Sequence, residues 1–125
     1  MRKEPICMKD YPHVLEEEGS VAIEFAPGAE QSNARTLKMV LDFGQWGEVV
    51  GIEIISLIFA AGKDCLQIID RSLPTQGEGL RYAYDEESDC FYLRLKTGRS
   101  CGQRSVTGSM LLDADGRITS LGAKW

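Results

Sequence analysis

Glu16 Glu17 Glu18 Gly19 Ser20 Val21 Ala22 Ile23 Glu24 Phe25 sets the fold of this chain, because its pattern returns as Glu86 Glu87 Ser88 Asp89 Cys90 Phe91 Tyr92 Leu93 Arg94 Leu95, 70 residues on (86 − 16). In each stretch an acidic turn opens onto an alternation of period two, the mark of a half-buried strand. Val21, Ile23 and Phe25 alternate with Ala22, Glu24 and Ala26, while Phe91, Leu93 and Leu95 alternate with Tyr92, Arg94 and Lys96. Two further blocks follow in the same order: Met39 Val40 Leu41 Asp42 with Met110 Leu111 Leu112 Asp113, then Gly47 Glu48 Val49 Val50 Gly51 Ile52 with Gly116 Arg117 Ile118 Thr119 Ser120 Leu121. Self-similarity of this kind marks an internal repeat, here about 12–55 and 82–125. Insertions between Gly28 and Leu37 and at Phe43 to Gly47 take up the drift in spacing.

Pro27 Gly28 and Thr97 Gly98 supply turns after the first strand of each copy. A more polar strand is expected next, near Ala34 to Leu37 and about Arg99 to Val106, then Met39 to Phe43 and Ser109 to Asp113. Asp113 Ala114 Asp115 Gly116 leads by a hairpin signal into Arg117 to Leu121, so each copy reads as a four-stranded antiparallel meander. Between them, Ile58, Ala61, Cys65, Ile68, Ile69 and Ser72 recur at helical spacing and predict an amphipathic helix over Ser56–Ser72. Ser56 is the expected N-cap and Pro74 the stop; Gly62 offers an alternative start with Asp64 as cap. Leu73 to Gly79 is a linker, helix and linker together filling about 56–80. The expected fold is α+β: two four-stranded antiparallel β-meanders joined by one amphipathic helix, a pseudo-two-fold single domain over 1–125 in which a covalent pair replaces a homodimer interface.

Composition agrees with one globular domain: 125 residues, 43% hydrophobic and 26% charged. The formal charge of −5 argues against nucleic acid or an anionic membrane as partner and leaves a basic protein open. The longest apolar stretch, Gly51 to Gly62, carries Glu53 and falls short of the roughly 20 residues that span a bilayer. Met1 to Pro5 is not followed by the apolar run of a signal peptide, so a bacterial-style cytoplasmic protein is expected. Cys7, Cys65, Cys90 and Cys101 form no CxxC pair and read as reduced thiols; with His13 the only histidine, no metal and no cofactor is expected.

Tyr84 Asp85 Glu86 Glu87 Ser88 Asp89 Cys90 Phe91 Tyr92 Leu93 Arg94 Leu95, followed by Leu111 Leu112 Asp113 Ala114 Asp115 Gly116 Arg117 Ile118, resembles the short bacterial YuzE-like family, a domain of unknown function numbered 2283. Val49 Val50 Gly51 Ile52 Glu53 Ile54 is similar to that family's final strand, whereas His13 Val14 Leu15 replaces its tyrosine-aspartate start. The resemblance implies two tandem copies and no established activity; some members look like acidic partners of small toxin-like proteins.

Clustered carboxylates such as Glu16 to Glu18 and Asp85 to Glu87 with Asp89 read as solvated turns, because acid and base work needs groups held in different environments. Asp113 to Gly116 is a turn and no calcium loop, since its glycine falls at position four and Lys124 stands at position twelve. His13 reads as a loop residue after Pro12; no G-x-S-x-G and no phosphate loop is present. Cys101, between Arg99 and Arg104, is a candidate reactive thiol. Aromatics are the better binding clue: Trp46 in an inserted hairpin loop and Trp125 at the C-terminal end, with Tyr82, Tyr84 and Tyr92 lining an outer sheet face beside Arg81 and Arg94. The leading expectation is a non-enzymatic protein-interaction module, monomer or homodimer. The alternative is a small-molecule-binding protein or minor enzyme with a pocket between the repeats, where Asp42 and Asp113 would hold related positions.

Overall fold

The structure, a computed structural model, describes residues 13–26, 33–66, 81–96 and 98–125. It holds eight strands: β1 (His13–Glu17), β2 (Ser20–Glu24), β3 (Asn33–Phe43), β4 (Val49–Ile55), β5 (Arg81–Asp85), β6 (Cys90–Arg94), β7 (Gly102–Leu112) and β8 (Ile118–Lys124). All pair antiparallel in one sheet of order β1-β2-β8-β7-β3-β4-β6-β5. The sheet curls into a half-barrel. Its inner face gathers Val21, Ile23 and Phe25, Leu37 to Leu41 in alternation, Ile52 and Ile54, Phe91 to Leu95 in alternation, and Met110 and Leu112 into one buried cluster.

Two separate meanders joined by an amphipathic helix are thus not what forms. Neither half is a meander, because the β1–β2 hairpin pairs with β8 and the β5–β6 hairpin with β4. Each hairpin leans on the last strand of the other half, so a half-chain on its own would leave an apolar face in water. The expected polar strands are absent too. Ala34–Leu37 and Met39–Phe43 merge into β3, and the stretch up to Val106 merges with Ser109–Leu112 into β7, eleven residues each, with Asp113 left in the turn that follows. Thr107 and Gly108, between the two expected strands, continue β7, and glycine fits there because a Cβ would come within 2.4 Å of the Met39 sulfur.

The helix is the second correction. α1 (Leu57–Ala61) has five residues, ends at Gly62 with φ 91°, and is followed by a 3₁₀ turn at Lys63–Leu66. Ser56 makes no side-chain cap and lies in the left-handed region. The first turn is capped from another strand pair: Asp89 accepts from the Ile58 and Phe59 amides at 2.8 and 3.0 Å. Ile68, Ile69, Ser72, Pro74, the linker Leu73–Gly79, the Pro27–Gly28 turn, Thr97 and Cys7 lie outside the described residues.

Strand order and register are unchanged when β1–β4 exchange with β5–β8. β3 and β7 pair along eleven residues about the Lys38–Thr107 pair, 69 apart (107 − 38). Both later hairpins carry the same irregularity, Phe43 against Val49 and Leu112 against Ile118. Their turns match as well: Gly47 donates to Gly44 and Gly116 to Asp113, both glycines having φ near 80°, where a side chain would be strained. Met39–Asp42 therefore does not match Met110–Asp113. Asp42 stands where the other half has Leu111 (111 − 42 = 69), and Asp113 stands where the first half has Gly44.

Candidate binding site at the Trp46 hairpin

The β3–β4 turn is held by backbone bonds from Gly44 to Glu48 and from Gly47 to Gly44, which leaves Trp46 at its tip, 82% exposed. Glu48 folds back over Gly44 and accepts from the Trp46 amide at 2.9 Å. Curling of the sheet brings the end of β1 alongside. One oxygen of Glu16 accepts from the Val49 amide at 3.0 Å and the other pairs with Lys96 at 2.9 Å. Trp125 completes the wall: its amide donates to Gly19 at 3.0 Å and its ring meets Phe43 edge-on, centroids 5.1 Å apart.

The result is a hollow of about 540 Å³ lined by Glu16, Glu17, Glu18, Glu48, Trp46 and Trp125. Lys96 is the one cation lining it, and that ammonium is already committed to Glu16. Carboxylates beside an open indole face offer a place for a cationic group, attracted by charge and by the ring quadrupole together. On the far side of Trp46 lies a second hollow of about 490 Å³ containing Arg99 and Cys101. The Cys101 amide is tied to the Phe43 carbonyl at 2.7 Å and its thiol is exposed.

The sequence-derived candidates divide among three places. Trp46 and Trp125 meet in the hollow, although Trp125 is half-buried against the core and is no loop tip. Tyr82 and Tyr84 do not share a face with Tyr92: they pair with Leu93 and Phe91 and so turn inward, Tyr82 packing on Phe91 at 5.8 Å. Tyr92, Arg94 and Arg81 remain on the outer face, Arg81 directly opposite Arg94. There the Tyr92 hydroxyl donates to Asp42 at 3.2 Å and Gln103 donates to its other oxygen at 2.6 Å. Asp42 is only 6% exposed beneath them. Burial first, then the Asp42 charge, raises the Tyr92 hydroxyl above its ordinary pKa.

His13 opens β1 opposite Glu24, in a strand and not a loop. Asp113 does not face Asp42; it accepts from the Asp115 and Arg117 amides of its own turn. On the outer face, a hollow of about 460 Å³ across β2, β8, β7 and β3 touches both halves and is lined by small and hydroxyl side chains and Lys124, and another of about 330 Å³ touches both halves and includes Leu15, Glu24 and Leu111. Among the described residues no three His, Cys, Asp or Glu gather as a metal site, and no helix is long and apolar enough to cross a membrane.

No family model, curated protein or solved structure matches the chain. Sequence reasoning missed Glu48 and Lys96 and took Glu16–Glu18 as a solvated turn. Only the pairing of β2 with β8 and the curl of the sheet bring that turn to Trp46, and no local signal encodes either.

Proposed function

We propose that this protein is a non-enzymatic interaction module that receives a cationic side chain of a basic protein partner at the Trp46 hollow. One observation carries the reading: four glutamates and two tryptophans line a hollow whose single lysine is already ion-paired. The formal charge of −5 favours the same class of partner by speeding its approach. A reducing, cytoplasmic setting belongs to this reading, which the free thiols Cys65, Cys90 and Cys101 fit.

We propose also that the chain is a fused pair of like units. The matched registers about Lys38–Thr107 support it, while the YuzE-like attribution rests on the motif residues alone. A binding titration against a lysine- and arginine-rich protein followed by Trp fluorescence tests the module: affinity should fall steeply as salt rises. Trp46→Ala and Glu17→Lys should each weaken binding by about tenfold or more while leaving the fold intact. Salt-independent binding, or binding indifferent to both variants, would place the partner elsewhere.

A further inference from the structure

The hollow continues into an open strand edge. β1 is the last strand on its side of the sheet, and among the described residues it has a neighbour only in β2. Phe25 donates to Thr119 at 2.8 Å and Trp125 to Gly19 at 3.0 Å, so the odd-numbered residues of β2 bond to β8. Its even-numbered residues then bond to β1, where their partners are His13, Leu15 and Glu17. The backbone N–H and C=O of Val14 and Glu16 therefore point away from β2. Every β1 residue is exposed, Leu15 at 53% and Val14 at 37%. A long flat apolar edge invites aggregation, and here the glutamates at its end set a charge condition on what can pair.

We infer that β1 accepts an extended segment of the basic partner as an added antiparallel strand; this rests on the reading proposed above for the hollow. Antiparallel pairing matches every other pair in the sheet. It fixes the chemistry of the occupant residue by residue. Its first residue, opposite Glu17, is Arg or Lys and stands at the mouth of the hollow beside Glu18 and Trp46. Its third and fourth, opposite Leu15 and Val14, are apolar and cover what those side chains expose. The partner thus reads basic, any, apolar, apolar. The other sheet edge does not offer this: β5 carries Arg81 where β1 has His13, and Ala83 where β1 has Leu15.

The test uses the full chain with acetyl-Gly-Arg-Thr-Ile-Val-Thr-amide, a shuffled peptide of the same composition, and the ordered peptide N-methylated at the threonine after arginine, which removes the donor facing Glu16. Binding is read by Trp fluorescence and by amide exchange at Val14 and Glu16. The ordered peptide should bind about tenfold tighter than the other two and should protect both amides, a difference worth one to two backbone hydrogen bonds. Val14→Pro, whose missing N–H faces outward and is tolerated on an edge strand, should erase that preference. Equal binding of all three peptides without amide protection overturns strand addition and leaves the charged hollow standing. Failure of every peptide to bind in low salt overturns both. Val14 and Glu16 amides already protected in the free protein overturn strand addition, because the edge is then covered by the chain itself.

Discussion

β1 and β5 hold matching places at the two ends of the sheet, yet they are finished in opposite ways. On β5 the inward positions are Tyr82, against Phe91, and Tyr84, whose hydroxyl donates to Asp89 at 2.5 Å. The matching positions on β1 are Val14 and Glu16, and Glu16 spends both oxygens on Val49 and Lys96. The inward side of β5 is filled by aromatic packing and tied to a capped helical turn; β1 is held by charge and left exposed along its length. The backbone frame therefore does not dictate how well each end of the sheet is packed. Side chains do, and they leave β1 exposed at all five residues where β5 alternates.

The largest break in this comparison comes from Asp89. It sits at φ 54° in the β5–β6 turn and joins β5 to α1 through Tyr84, Ile58 and Phe59. Burial opposes its ionisation, but the Tyr84 hydroxyl and the Phe59 and Ile58 amides outweigh that and hold the carboxyl below its ordinary pKa. The same contact pushes the Tyr84 hydroxyl from 10 up to about 12. Asp89→Ala should destabilise by about 2–3 kcal/mol in chemical unfolding and free α1 to exchange its amides, while β1 is unmoved. The signs with pH follow from the two directions. Asp89 contributes above the unfolded carboxyl range and loses that as pH falls through its depressed pKa. Tyr84 contributes fully below pH 10 and loses it as pH rises toward about 12. A Tyr84→Phe chain that keeps the alkaline loss between those limits would show that this contact does not tie β5 to the helical turn.

A middle-sized effect separates the two outer faces. A Cβ on Gly51 would lie 2.3 Å from the Tyr92 hydroxyl oxygen, because tyrosine and Asp42 meet across that glycine. The matching position in the other half is Ser120, where Ala22 stands in place of Tyr92. Gly51→Ala should cost about 1–2 kcal/mol by displacing the ring, against nearly nothing for Ser120→Ala, in paired denaturant melts. Equal costs would mean that Tyr92 swings aside freely and that Asp42 is not covered as tightly as its 6% exposure implies.

What was legible in sequence follows the same physics. A period of two arises only where one face is buried and the other is wet, so β2 and β6 were plain and β1, exposed at all five residues, carried no alternation. β5 did alternate, through Tyr82 and Tyr84, but period two does not say which face is inward. Arg99–Val106 and Ser109–Asp113 were expected as separate strands, with Gly108 left between them; sequence shows that glycine but not the Met39 sulfur that a Cβ there would meet. The helix was overextended because Ile58, Ala61 and Cys65 keep helical spacing across Gly62, whose positive φ ends α1. For the site, Trp46 and Trp125 were visible as aromatics with no obvious core partner. Their glutamates were not, since the turn that bears them arrives through pairing with a strand about a hundred residues away in sequence.

The smallest expected effect is the most informative about why the halves differ. Asp42 lies buried on the outer face with two neutral donors and, among the described residues, no cation bonded to it, and an interior carboxylate in such company adds little net stability. The fold itself supplies the control, because Leu111 occupies the matching place between Ser120 and Ala34 without any polar partner. Asp42→Leu should therefore change stability by less than about 1 kcal/mol, toward greater stability, since half-buried Tyr92 and exposed Gln103 can both turn to water. Tyrosine titration should report it as well: with the Asp42 charge gone, the Tyr92 hydroxyl should move back toward its ordinary value, burial remaining the largest cause of what is left. A loss of about 3 kcal/mol or more would instead make Asp42 the pin that fixes Tyr92 and the outer face of its half. In that case the asymmetry of the outer face would be structural, carried by the contact of Asp42 with Tyr92 and Gln103.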